Sequence, residues 1–124
     1  MAITGIVPQL RTLDFASTIR FYIEKLGFEL EFRHEDFYAG LRRGNHAIHV
    51  KRVDCADPSI AWVDEGGHLH LYFNDDDVVA TAAKLEASGV ALVQPVHETA
   101  WNTRELVIRD DQGHTLYFGQ PLQR

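Results

Sequence analysis

Apolar residues recur at helical spacing in Leu13–Phe32, LDFASTIRFYIEKLGFELEF, where Phe15, Ile19, Tyr22 and Leu26 share one face behind Asp14, a good N-cap residue. Gly27 supplies a left-handed stop. Phe28, Leu30 and Phe32 then alternate with Glu29 and Glu31, as in a half-buried strand. Asp76–Gln94, DDVVATAAKLEASGVALVQ, repeats that order: an Asp cap, an apolar stripe through Val78, Ala82 and Leu85, then Gly89 and the strand-like Val90–Val93. The match extends into the flanking strands, so the chain reads as an internal duplication.

The remaining pattern supplies those strands. Thr4–Arg11 reads as a strand, either at an edge or meeting a different neighbour, since Pro8 cannot donate to a ladder. Phe28–Arg33, Asp36–Arg42 and His46–Arg52 follow, the last two joined by a turn at Gly44–Asn45. Asp54–Gly67, with Pro58 and two glycines, reads as the connection between halves, with a short extended piece at Ile60–Val63. Gly67–Phe73 is the next strand; after the second helix and Val90–Val93, Pro95–Asn102 reads as a loop. Thr103–Arg109 and His114–Phe118 close a hairpin across Asp110–Gly113. The predicted fold is α+β: two βαβββ modules forming mixed sheets around a concave ligand cavity, helices on the outer face. Repeat 1 spans about 4–53, the linker about 54–66 and repeat 2 about 67–119, in one domain.

Helices must cover the apolar strand faces. That assigns Ile6, Leu10, Ile48, Val50, Leu69, Leu71, Phe73, Leu106, Ile108, Leu116 and Phe118 to the helix side. The opposite face collects Gln9, Arg11, His49, Lys51, His68, His70, Tyr72, Glu105, Arg109, Thr115 and Tyr117. A solvated sheet face is one reading of that set. Its histidine pairs and tyrosines favour a ligand-lined surface.

Charge narrows the partners. With 18 acidic and 12 basic side chains the net charge is −6, which disfavours nucleic acid and acidic membrane surfaces and attracts cations. The lone Cys55 permits no internal disulfide and fits a reducing compartment; its neighbours Asp54 and Asp57 oppose a thiolate nucleophile. The N-terminal MAITGIVPQL carries no signal-peptide pattern and no membrane span is visible, so a cytoplasmic location is expected. No Gly-rich phosphate loop and no serine-triad signature is present.

The paired βαβββ pattern, with LDFASTIRFYIEKLGFELEF and the hairpin IRDDQGHTLYF, resembles the vicinal-oxygen-chelate superfamily of glyoxalase I, extradiol dioxygenases, fosfomycin-resistance enzymes and bleomycin-resistance proteins. The resemblance carries that superfamily's metal-ligand places to Val7, His49, His70 and Tyr117. Valine cannot ligate, and tyrosine is a poor substitute for the expected carboxylate. What remains is a residual possibility of a loosely held ion on His49, His70 and Tyr117. VPQL, EDFYAGL, IAWV and the W-x-x-RE-L of Trp101–Leu106 are similar to the metal-free bleomycin-resistance branch. That resemblance implies a homodimer without cofactor that sequesters a cationic aromatic antibiotic such as bleomycin, without chemistry. It places Phe37 and Trp101 as stacking plates, with Trp62, His49, His70, Tyr117 and Glu105 as further ligand-binding residues. No catalytic residue is assigned. The alternative is a metal-dependent lyase, isomerase or dioxygenase of the same superfamily.

Overall fold

A computed structural model describes residues 1–123. The chain divides into two compact units, residues 1–57 and the remainder from Pro58, a boundary inside the stretch read as a linker.

In the first unit, β1 (Gln9–Thr12), α1 (Phe15–Glu24), β2 (Glu29–His34), β3 (Tyr38–Arg43) and β4 (His46–Arg52) form one sheet in the order β1-β4-β3-β2. β1 pairs with β4 in parallel, and the other pairs are antiparallel. The Asp14 carboxylate caps α1 by accepting from the Ser17 N–H at 3.1 Å, and Gly27, at φ 75°, turns the chain out of it. α1 packs on β2, β3 and β4 and buries Phe15, Ile19 and Tyr22 with Leu10, Ala39, Leu41, Ile48 and Val50.

The second unit begins with α2 (Pro58–Gly66) and then repeats the plan: β5 (Leu71–Asn74), α3 (Val78–Ala87), β6 (Gln94–Glu98), β7 (Thr103–Arg109) and β8 (Thr115–Pro121), in the order β5-β8-β7-β6. Asp77 caps α3 through the Ala80 N–H at 3.1 Å, and Val78, Ala82 and Leu85 are its buried stripe. A smaller device is duplicated as well. Thr12 accepts from the Asp14 N–H and from the Thr18 hydroxyl; Asp75 accepts from the Asp77 N–H and from the Thr81 hydroxyl. Thr12 and Asp75 therefore occupy equivalent places, which fixes the register between the two halves.

The structure corrects several expectations. The first strand begins at Gln9 rather than Thr4. The His49 N–H donates to the Pro8 carbonyl, no strand pairing precedes it among the described residues, and Ile6 is 88% exposed instead of facing the helix. Ile60–Val63 is helical, with Pro58 in the first turn, where a missing N–H costs nothing. Gly67 leaves that helix at φ 66°, so the next strand starts only at Leu71 and Leu69 is exposed. Val90–Val93 is not a strand, and Pro95 is not in a loop. The ladder with β7 begins with the Val93 N–H on the Val107 carbonyl and continues as β6. Its register shifts between Gln94 and His97, and that irregularity accommodates Pro95. β2, at one edge of its sheet, is exposed along its whole length, Leu30 and Phe32 included.

Candidate functional site

The sequence-derived candidates fall into separate clusters. In the first unit, Gly40 pairs with His49 across β3 and β4, and Phe32 pairs with Gly40 across β2 and β3. Only a glycine leaves room there, since a β-carbon at residue 40 would collide with the Phe32 ring. Phe32 consequently lies parallel to Tyr38, with centroids 6.2 Å apart, and edge-on to His49 at 5.3 Å. Gln9 Nε2 donates to the Tyr38 hydroxyl at 3.2 Å, and that hydroxyl is 2.9 Å from His49 Nδ1. Phe37, partly exposed, stands in the β2–β3 turn edge-on to His34 at 5.2 Å. Tyr38 was missed in the sequence, although its spacing of two from Gly40 puts both on the face of His49.

In the second unit, Glu105 on β7 is 3% exposed and draws three donors onto a single oxygen, Oε2: the Tyr72 hydroxyl at 2.7 Å, the Thr103 hydroxyl at 3.0 Å and the Trp101 Nε1–H at 3.4 Å. The last is long for a hydrogen bond and orients more than it binds. Asn102, at φ 68°, makes the tight turn that leads from Trp101 into β7. The indole remains 68% exposed, although its N–H points at a buried carboxylate. Tyr72 leans over Gly119, where any β-carbon would strike its hydroxyl, and tilts against Tyr117 at 6.2 Å. Burial, reinforced by the hydrogen bond to Glu105 and the charge of that carboxylate, pushes the Tyr72 phenol up to about 12; the Thr103 hydroxyl opposes the shift.

His70 lies apart from that cluster in hydrogen bonding. Its Nδ1 accepts the Thr115 N–H at 3.1 Å, so the neutral ring carries its proton on Nε2, which faces Ser59 Oγ at 3.1 Å. That tautomer cannot take a proton from Ser59, and the pair is not a base and nucleophile. His70 also meets His114 edge-on at 4.9 Å. His114 is fully buried, and its Nδ1 donates to Asp110 Oδ2 at 2.8 Å. Trp62 stands on α2, 71% exposed.

The metal places implied by the resemblance do not form a fitting donor set. Val7 is exposed outside any strand, His49 Nδ1 is taken by Tyr38, and both His70 nitrogens are in hydrogen bonds. Among the described residues, no group of three or more His, Cys, Asp or Glu is placed to hold a metal ion, and no helix is long and apolar enough to cross a membrane.

Comparison with known proteins places this geometry. The chain is 32% identical over 115 residues, 93% of its length and 91% of the relative's, to an uncharacterized protein of Mycolicibacterium smegmatis. Its fold matches TnmS3, an antibiotic binding protein from Streptomyces sp. CB03234, with a TM-score of 0.75 and 25% identity over 98% of each chain. It also matches the bleomycin-binding protein of bleomycin-producing Streptomyces verticillus, solved with copper(II)-bleomycin, with a TM-score of 0.72 and 24% identity over 100% of this chain and 99% of that one. The sequence pattern of the Glyoxalase/Bleomycin resistance protein/Dioxygenase superfamily spans residues 5–118, nearly the whole duplicated arrangement, and the chain belongs to that superfamily.

Proposed function

We propose that this protein binds a flat, cationic antibiotic of the bleomycin type and withholds it from its target without altering it. The observation that carries this reading is the exposed Trp101 indole, its N–H directed at the buried Glu105 carboxylate. A large aromatic plate held in water next to a negative charge suits stacking against a flat cation. The likeness to proteins that bind antibiotics supports the same choice. Phe37 and His49 in the first unit, and Trp62, His70 and Tyr117 in the second, are each further candidate contacts, and the protein works as a cytoplasmic homodimer. A metal-dependent lyase, isomerase or dioxygenase would have to free a nitrogen of His70, since one faces Ser59 and the other accepts the Thr115 N–H.

Calorimetric titration with bleomycin tests the reading. Trp101→Ala should weaken binding at least about tenfold, or ~1.4 kcal/mol. Phe37→Ala should act in the same direction. A folded Trp101→Ala protein with parental affinity would overturn the proposal.

A further inference from the structure

We propose that the sheet of the first unit carries a site for an oxyanion, a carboxylate, phosphate or sulfonate, held by Arg11 and Lys51 with His49 beside them. The inference rests on the register of four strands and not on the antibiotic reading. Arg11, Lys51, Tyr38 and His34 stand opposite one another across β1, β4, β3 and β2. Gln9, His49, Gly40 and Phe32 form the next row on the same face. None of these residues is acidic. Arg33, Arg42 and Arg43 are engaged with Asp36, Glu31 and the Leu26 carbonyl. Arg11 and Lys51 are exposed, and among the described residues neither forms an ion pair.

Like charges directly opposite on neighbouring strands, with backbones about 5 Å apart, repel each other. An oxyanion between them turns that repulsion into two charge-assisted contacts, and the fork of Arg11 matches a carboxylate or phosphate edge. His49 adds a directed donor. The Gln9 amide donates to the Tyr38 oxygen at 3.2 Å, so the Tyr38 hydroxyl gives its own proton to His49 Nδ1 at 2.9 Å. The neutral imidazole then keeps its proton on Nε2. Phe32, lying over Gly40 and 40% exposed, offers an apolar neighbour to the carbon skeleton of the anion. The second unit has the opposite polarity. Its matching places hold Asn74, Gly119 and Glu105 instead of Arg11, Lys51 and Tyr38. Residues 1–57 contain as many basic as acidic side chains, so the whole net charge of −6 falls on the remainder.

The test uses two dyes, anilinonaphthalene sulfonate and its uncharged twin phenylnaphthylamine, read by their fluorescence, with inorganic phosphate as competitor. The parent protein should bind the sulfonate at least tenfold more tightly than the twin; equal affinities would overturn the inference. Arg11→Gln combined with Lys51→Gln, both at exposed positions, should weaken the sulfonate tenfold or more and change the twin less than threefold. Arg20→Gln combined with Lys84→Gln removes the same charge from exposed places on α1 and α3, and should change neither dye by more than threefold. Equal loss of the sulfonate in the two double variants would show attraction by overall charge alone and sink the site. No loss in Arg11→Gln/Lys51→Gln would sink it as well. Within a charge-selective result, displacement of the dye by phosphate identifies the oxyanion itself as the recognised group. Selective binding that phosphate leaves in place ties recognition to an oxyanion carried on an aromatic body.

Discussion

The two units share a backbone plan and differ in where they place volume and charge. With Thr12 and Asp75 matched as cap supports, Leu10 corresponds to Phe73, Val50 to Phe118, Ala39 to Leu106 and Leu41 to Ile108. The first unit puts bulk on its helix, with Phe15, Ile19 and Tyr22 over small strand residues. The second unit has Val78, Ala82 and Leu85 on its helix and the larger side chains on its strands. The two helix–sheet layers divide bulk between helix and strands in opposite ways, which close packing permits. The same register aligns Gln9, Tyr38 and His49 of the first sheet with Tyr72, Glu105 and Tyr117 of the second. Both trios are joined by hydrogen bonds and ring contacts, but only the second contains a carboxylate. Duplication conserved the frame and left polarity free to diverge.

The strongest way to break this comparison is to invert the volume partition. Leu106→Ala, at a fully buried position, should cost about 2–5 kcal/mol in denaturant unfolding. Ala39→Leu at the matching place should cost about 1–3 kcal/mol by overpacking. Combining Ala39→Leu with Ile19→Ala gives the first unit the partition of the second, and the double variant should be more stable than the sum of the singles predicts. Strict additivity would refute the idea of complementary volumes.

A smaller effect separates the hairpins. Asp110 has no counterpart in the Gly44–Asn45 turn; it accepts from the Gln112 N–H at 3.0 Å, the His114 N–H at 2.9 Å and His114 Nδ1. Asp110→Ala strands these donors beside a fully buried imidazole, and should destabilise the protein by roughly 1–3 kcal/mol. A thermal melt indistinguishable from the parent would show that solvent replaces the carboxylate there.

The gentlest probe reads the charge difference directly. The Tyr72 phenol ionises near 12 rather than 10, so between those values the folded chain keeps a proton that the unfolded chain releases. Its contribution to stability is whole below about pH 10 and disappears as the pH climbs through 12. The ultraviolet titration of the parent minus that of Tyr72→Phe should therefore show a step near 12, moved towards 10 in Glu105→Gln. A difference step at 10 in the parent would contradict the coupling.

Much of this is legible in the sequence. Helices α1 and α3, their Asp caps and glycine exits, the β3–β4 turn and the terminal hairpin lie in patterns of period 2 and 3.6. What escaped were features decided by partners rather than by local sequence. β6 exists because β7 pairs with it, despite Pro95; β1 starts at Gln9 because its pairing with β4 starts there; Ile60–Val63 was too short to show a period. Of the candidate residues, the structure joins Trp101, Glu105 and, through Tyr72, Tyr117. It sets His70 in a different hydrogen-bonded group, and leaves Trp62 alone on α2. The convergence on Oε2 was invisible because it depends on a side chain leaning over Gly119.

The strand order has a consequence for how the protein is made. In each unit the last strand lies between the first and third, so β4 and β8 are the pieces that turn a loose strand and a hairpin into one sheet. The first unit can close as soon as residue 52 has emerged during synthesis. The second must wait for residue 121, and until then β5 and the β6–β7 hairpin present unpaired edges while the finished first unit already stands. A pause in translation just upstream of β8 would prolong the most aggregation-prone interval in the life of the chain, whereas a pause between the units would be harmless.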